Sequence, residues 1–123
     1  ADIHSQTNDG VTPLHGACGY GYFDIALFLL SKGSNIDFQD DRGDSPLHLA
    51  SGYGHLEVVA LLVNQGANIH LQNKRGFSSL HWACSKGHLE VASFLISKGI
   101  NINLQDNRGD SAFHLCSRYD HLH

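Results

Sequence analysis

The chain has 123 residues, 41% hydrophobic and 16% charged, so it carries enough apolar material for a packed domain and too much for a disordered one. Eight Lys and Arg against twelve Asp and Glu leave a formal net charge of −4, which argues against a surface built for nucleic-acid phosphate or anionic lipid. No apolar run approaches the roughly 20 residues that span a bilayer, and Ala1-Asp2-Ile3-His4 lacks both the charged and the apolar part of a signal peptide.

Residues 1–6 align with residues 34–39, so the chain opens in the register of a unit's tail, and the missing initiator Met fits a piece of a longer protein. A turn follows around Gly10. Thr12 is placed to cap a first helix, with Pro13 at the first helical position, where a missing N–H costs nothing. Gly21 interrupts it. A second helix begins at Phe23, with Asp24 in its first turn to complement the positive helix end, and Gly33 closes it in a left-handed conformation. The same cycle returns from Ser45 and Pro46 through Gly54, Leu56, Glu57 and Gly66, and again from Ser78 through Gly87, Leu89, Glu90 and Gly99. The apolar positions of the middle second helix (Leu56, Val58, Val59, Leu61, Leu62, Val63) cover most of its circumference, which predicts packing on more than one side. Stretches such as Asn68-Ile69-His70-Leu71-Gln72 are expected to run extended into a turn at Lys74-Arg75-Gly76.

The period is 33 residues. His15, His48, His81 and His114 keep it, as do Gly10, Gly43, Gly76 and Gly109. Residues 41–73 and 74–106 share 17 identities in 33 ungapped positions. A fixed period of this size signals stacked units, none of which buries its apolar faces alone. Leu14, Leu47, Leu80 and Phe113 are expected to form one buried row, and Ile3, Ile36, Ile69 and Ile102 a second.

Thr12-Pro13-Leu14-His15, Ser45-Pro46-Leu47-His48, Gly54-His55-Leu56-Glu57-Val58-Val59 and Gly66-Ala67-Asn68-Ile69 resemble the ankyrin repeat, in register over essentially the whole chain. The resemblance implies an all-α solenoid of antiparallel helix pairs with β-turn fingers, whose concave face is made by fingers and first helices. The expected organisation is the end of a preceding repeat over 1–6, repeats over 7–39, 40–72 and 73–105, and a partial repeat over 106–123.

Ten histidines invite a metal reading. Ligands must converge on one point, and a ladder with one His per unit spreads along the stack. The resemblance implies instead that each ladder His bonds its own turn and the neighbouring finger. His55 and His88, with His121 in the same register, read as local caps of the second helix, and His4 and His70 as solvated. Three cysteines cannot all pair with each other, and the odd count reads as an intracellular setting, cytoplasmic or nuclear. Cys18 and Cys84 lie in units separated by a third, and all three cysteines read as buried thiols at small packed positions. No nucleophile elbow, His-Glu-x-x-His or phosphate-binding glycine loop is present, so no catalytic site, metal or cofactor is expected.

Variation between units concentrates at the finger tips and along the first helices. Arg42, Arg75 and Arg108 precede the finger glycine, and Asp44, Phe77 and Asp110 follow it. Tyr20, Tyr53 and Tyr119 share a register near the end of the first helix, where the third unit has Lys86, and Trp82 replaces Leu49 and Leu115. Tyr, Trp and Arg dominate interface hot spots. The expected partner-binding residues are therefore Arg42, Asp44, Tyr53, Arg75, Phe77, Trp82, Lys86, Arg108 and Asp110, acting in a monomeric module that docks a protein or peptide without catalysis, nucleic acid or membrane. Replacing Arg75 and Phe77 together is expected to abolish binding and spare stability. One alternative is a regulatory or targeting segment of a larger enzyme or channel. A remote one is a methyl-lysine reader, because Phe77 and Trp82 resemble the aromatic unit of some histone methyltransferase ankyrin domains; Ser85 and Leu115 depart from that cage.

Overall fold

A computed structural model describes residues 5–120, with side chains as far as Cys116. Ile3, His4 and His121, and the side chain of Tyr119, lie outside the described part. The elements are α1 (Pro13–Tyr20), α2 (Phe23–Ser31), α3 (Pro46–Gly52), α4 (Leu56–Asn64), α5 (Ser79–Ser85), α6 (Leu89–Ser97) and α7 (Ala112–Asp120). Helices α1, α3, α5 and α7 stack in one row and α2, α4 and α6 in a second, each pair packing α1 on α2, α3 on α4 and α5 on α6.

Each first helix starts with a reciprocal cap. His15 N–H donates to Thr12 Oγ1, while Thr12 N–H donates to His15 Nδ1 at 3.1 Å; Ser45 with His48 and Ser78 with His81 repeat it. Histidine thus takes the role that Glu or Gln plays in the usual capping box. Its other nitrogen reaches the next unit: His15 Nε2 lies 2.9 Å from Asp44 O, His48 Nε2 2.8 Å from Phe77 O, and His81 Nε2 3.0 Å from Asp110 O. A carbonyl only accepts, so Nε2 carries the proton and Nδ1 is left free to accept. These three rings are buried, whereas His114 is exposed and, among the described residues, makes the local contact to Ser111.

The second helices end as expected. Gly33 has φ +95°, its N–H donates to Leu30 O, and Ser34 N–H donates to Leu29 O. This double closure needs a residue free to take the left-handed conformation.

The fingers form a hydrogen-bonded column. Asp41 N–H donates to Asp9 O, Lys74 N–H to Arg42 O, and Asn107 N–H to Arg75 O, at 2.9–3.0 Å. Gln39 Nε2 bridges Gly43 O and Gln72 O, and Gln72 Nε2 bridges Gly76 O and Gln105 O. Within each finger one side-chain oxygen shapes the turn: Thr7 Oγ1 accepts from Asp9 and Val11 N–H, Asp40 Oδ1 from Arg42 and Asp44, Asn73 Oδ1 from Arg75 and Phe77, and Asp106 Oδ1 from Arg108 and Asp110. Burial pushes the Asp106 carboxyl up, but the N–H bonds from Asp110 and Arg108, with the nearby His81 and Arg108 charges, outweigh it and hold it below the ordinary 3.8.

Several expectations change. Leu14, Leu47 and Leu80 are buried, but Phe113 is 47% exposed, because its row is covered in the earlier units by a second helix and no such helix lies on it among the described residues. Ile36, Ile69 and Ile102 are half-buried at the edge of the core. The stretch before each finger is bent rather than extended, since Asn35, Asn68 and Asn101 accept through Oδ1 from the N–H two residues on, the local bond that asparagine favours. His55 and His88 do not cap their own helices. Their Nε2 atoms reach back to Gly19 O (2.9 Å) and Gly52 O (3.0 Å) at the end of the preceding first helix. His70 is exposed, yet its Nε2 accepts from Asn101 N–H.

Cys84 and Cys116 form a disulfide between α5 and α7, their Cα atoms 4.5 Å apart. The expectation of three free thiols fails because these two positions face each other across adjacent first helices. One pair and one lone thiol also add to three, so the odd count no longer argues for a reducing compartment. Cys18 stays free and fully buried, and burial raises its thiol to about 12, far from a nucleophile's range.

Candidate binding groove on the finger and first-helix face

All nine residues singled out from the sequence line two cavities on the face built by fingers and first helices. Arg42, Asp44, Tyr53, Trp82 and Lys86 line one of about 140 Å³. Arg75, Phe77, Arg108 and Asp110 line a second of about 320 Å³. The two are neighbours, since Phe77 of the second meets Trp82 of the first edge-to-face, 5.2 Å between centroids.

The first cavity is organised by Asp44. It follows the finger glycine and is only 4% exposed. Its Oδ1 accepts from Asn73 Nδ2 at 2.8 Å and from Trp82 Nε1 at 3.1 Å, so it holds the indole across 38 residues of chain. Asp44 is thus a buried support of the groove, not the surface charge its finger-tip position suggested. Gly52 lies on the floor, where an added Cβ would stand in ordinary contact with the Trp82 ring at 3.7 Å. Tyr53 is 65% exposed at the rim, and the Lys86 ammonium lies 5.6 Å from the centre of Trp82.

The second cavity is floored by Phe77. It is 6% exposed, stacked on His81 at 5.3 Å and covered by the Arg75 guanidinium 4.4 Å from its centre. Phe77 is expected from the sequence to serve binding alone, so that its loss would spare stability, but here the turn folds the ring under its neighbour. Replacing Phe77 would therefore disturb the fold as well as the surface. The exposed cations of this region are Lys74, Arg75 and Arg108.

A third cavity of about 510 Å³ lies between the first two units and is lined by Val11, Gly16, Gly19, Tyr20, Leu49 and Tyr53 among others. The floor residues Gly16, Gly19, Gly52 and Ser85 were missed in the sequence. Their signal was a column of small residues, Gly19, Gly52 and Ser85, at the 33-residue period. Among the described residues, no three His, Cys, Asp or Glu side chains gather where they could hold a metal ion, and no helix is long and apolar enough to cross a membrane.

The stacked helix pairs, finger column and histidine relay define an ankyrin repeat solenoid. A family model described as ankyrin repeats (3 copies) matches residues 1–73 and 65–123, and the chain belongs to that family. It is also similar to protein phosphatase 1 regulatory subunit 27 of Mus musculus and of Homo sapiens. Each is 51% identical over 41 residues, which is 33% of this chain and 27% of that protein, so the chain spans about a quarter of those relatives' length. Ankyrin repeats are protein-interaction modules, and the binding of a protein partner is the coarse function this membership carries.

Proposed function

We propose that the chain is a non-catalytic binding module that docks an extended segment of a partner protein in the groove between the fingers and first helices. The observation that carries this reading is the convergence of Arg42, Tyr53, Arg75, Trp82, Lys86 and Arg108 on two neighbouring cavities. Tyr53 and the cations are exposed side chains on a floor already fixed by Asp44, Asn73 and Phe77, so the floor itself needs no reordering on binding. The units are read as 7–39, 40–72 and 73–105, with 1–6 closing an earlier repeat and 106–123 opening a further one, in a monomer. The methyl-lysine alternative fares worse, because the faces of Phe77 and Trp82 already carry the cations Arg75 and Lys86.

A second reading, that the module is part of a larger protein, is favoured by one observation. Ile25 and Phe28 of α2 are 50% and 57% exposed, whereas Val58 and Leu61, at the same positions of α4, are 1% and 8% exposed. Helix α4 packs on α2, whereas among the described residues no earlier second helix packs on α2.

The test is selection of an unbiased displayed peptide library on the intact chain. The expected outcome is a set of binders whose capture is lost in Tyr53→Ala and in Arg42→Ala, with the melting curve of each variant unchanged. Binders indifferent to both substitutions would overturn the groove.

A further inference from the structure

Charge is distributed against the net value of this chain. Five of its eight Lys and Arg (Arg42, Lys74, Arg75, Lys86, Arg108) line the two neighbouring cavities, against three of its twelve Asp and Glu. Of those three, Asp44 is turned inward to Trp82 and Asn73, and Asp106 is buried beneath the finger N–H groups. Asp110, half-buried beside Arg108, is the remaining carboxylate of that lining, so the exposed rim carries more cations than anions on a molecule whose overall charge is negative. The charged heads of Arg75 and Lys86 also lie over aromatic faces, 4.4 Å from Phe77 and 5.6 Å from Trp82, which favours these positions for the charges while their N–H groups can still donate to a ligand at the ring edge.

We propose that the partner segment bound in this groove is an acidic peptide, with one carboxylate seated between Arg42 and Lys86 and a second between Arg75 and Arg108. This rests on the groove reading above and names the chemistry of its occupant. Each pair bridges two neighbouring units, and Arg42 and Arg75 occupy the same position of successive units. Packed helices lie about 8–10 Å apart, and an extended peptide advances about 3.3 Å per residue. The carboxylates are thus expected about three residues apart in the peptide. Arginine suits this role because its planar fork matches a carboxylate with two parallel bonds. An acidic segment also gains from the cationic rim during encounter, when the rest of the surface would repel it.

The experiment measures fluorescence anisotropy of the intact chain with a labelled peptide of about twelve residues carrying Glu at every third position, as the extended rise requires, with its Gln counterpart and with an oligothymidylate of equal length. The Glu peptide is expected to bind at least tenfold more tightly than the Gln peptide, and to weaken at least tenfold at high salt, which screens exposed charge. Arg42→Glu with Lys86→Glu, and separately Arg75→Gln with Arg108→Gln, are each expected to lose at least tenfold while the chain still melts cooperatively. Equal affinity for the Glu and Gln peptides overturns the proposal, and so does tighter binding of the oligothymidylate. The library selection separates this from the broader reading. Tyr53-dependent binders rich in neutral or basic residues overturn the acidic partner and leave the groove standing, whereas no Tyr53-dependent binder of any kind overturns both.

Discussion

The indole N–H of Trp82 donates to the carboxylate of Asp44 at 3.1 Å, joining a first helix to the finger of the preceding unit. Trp82→Phe keeps most of the ring and deletes the donor, leaving a buried carboxylate with one side-chain partner fewer. A loss of about 1–3 kcal/mol is expected from such an unmade bond. Chemical denaturation of Trp82→Phe, Asp44→Ala and the double variant should show a coupling of about 1 kcal/mol, the scale found for residues in contact. Strictly additive losses would deny the bond any energetic role.

The histidine relay makes stability depend on pH. Burial lowers the His48 pKa from the ordinary 6.5, against the opposing pull of the Phe77 carbonyl and the Asp44 and Asp40 charges. The neutral ring is thus favoured in the folded chain. Its contribution is complete above 6.5, where both states are neutral, and is lost as pH falls below 6.5 towards the folded value, since the unfolded chain binds the proton first. The physical cause is visible in the cap: a proton on Nδ1 would oppose the N–H of Ser45, 3.0 Å away. Urea midpoints should fall from pH 7.5 to 5.5, and His48→Asn should show a shallower fall. A flat profile in the parent chain would be inconsistent with the buried acceptor.

Two left-handed glycines separate backbone strain from steric fit. Gly66 has φ +94° with open space around a built Cβ, whereas Gly54 has φ +77° with the His88 ring 2.6 Å from that position. Gly66→Ala should cost only the left-handed penalty of about 1–2 kcal/mol. Gly54→Ala should cost clearly more, because the ring must also leave its bond to Gly52 O. Differential scanning calorimetry of the two variants decides this; equal losses would show that the ring yields freely.

Thiol labelling tests the bridge. With no reductant, the denatured chain should take up one alkyl group, at Cys18, and with reductant three. Cys84→Ser with Cys116→Ser should lower stability by about 3–4 kcal/mol, as expected when a loop of this size is no longer closed in the unfolded chain. Three labels without reductant would show that the thiols are free.

The architecture was legible because a repeat states each structural requirement several times. One Gly at a helix end is weak, but Gly33, Gly66 and Gly99 in register mark a closure that all three show at φ +88° to +95°. The candidate site was legible as a set of residues and not as a set of roles. Asp44 and Phe77 vary between units, which singled them out, but variation does not say which way a side chain faces. Burial of Asp44 depends on Asn73 and Trp82, 29 and 38 residues away, and a one-dimensional pattern does not show such partners. The reach of His55 to Gly19 and the pairing of Cys84 with Cys116 were hidden for the same reason: both cross between units, while periodicity describes positions within one.

The finger column has a mechanical consequence. Along the fingers the units are tied by directional bonds of nearly fixed length, Asp41 to Asp9, Lys74 to Arg42 and Asn107 to Arg75, doubled by the Gln39 and Gln72 bridges. The second helices are joined by apolar packing, which has no preferred direction and tolerates small slides. Bending of the stack therefore pivots about the fingers, which stay at constant spacing while the α2, α4 and α6 row spreads or closes. The spacing between the Arg42 and Arg75 sites is the dimension that such motion changes least.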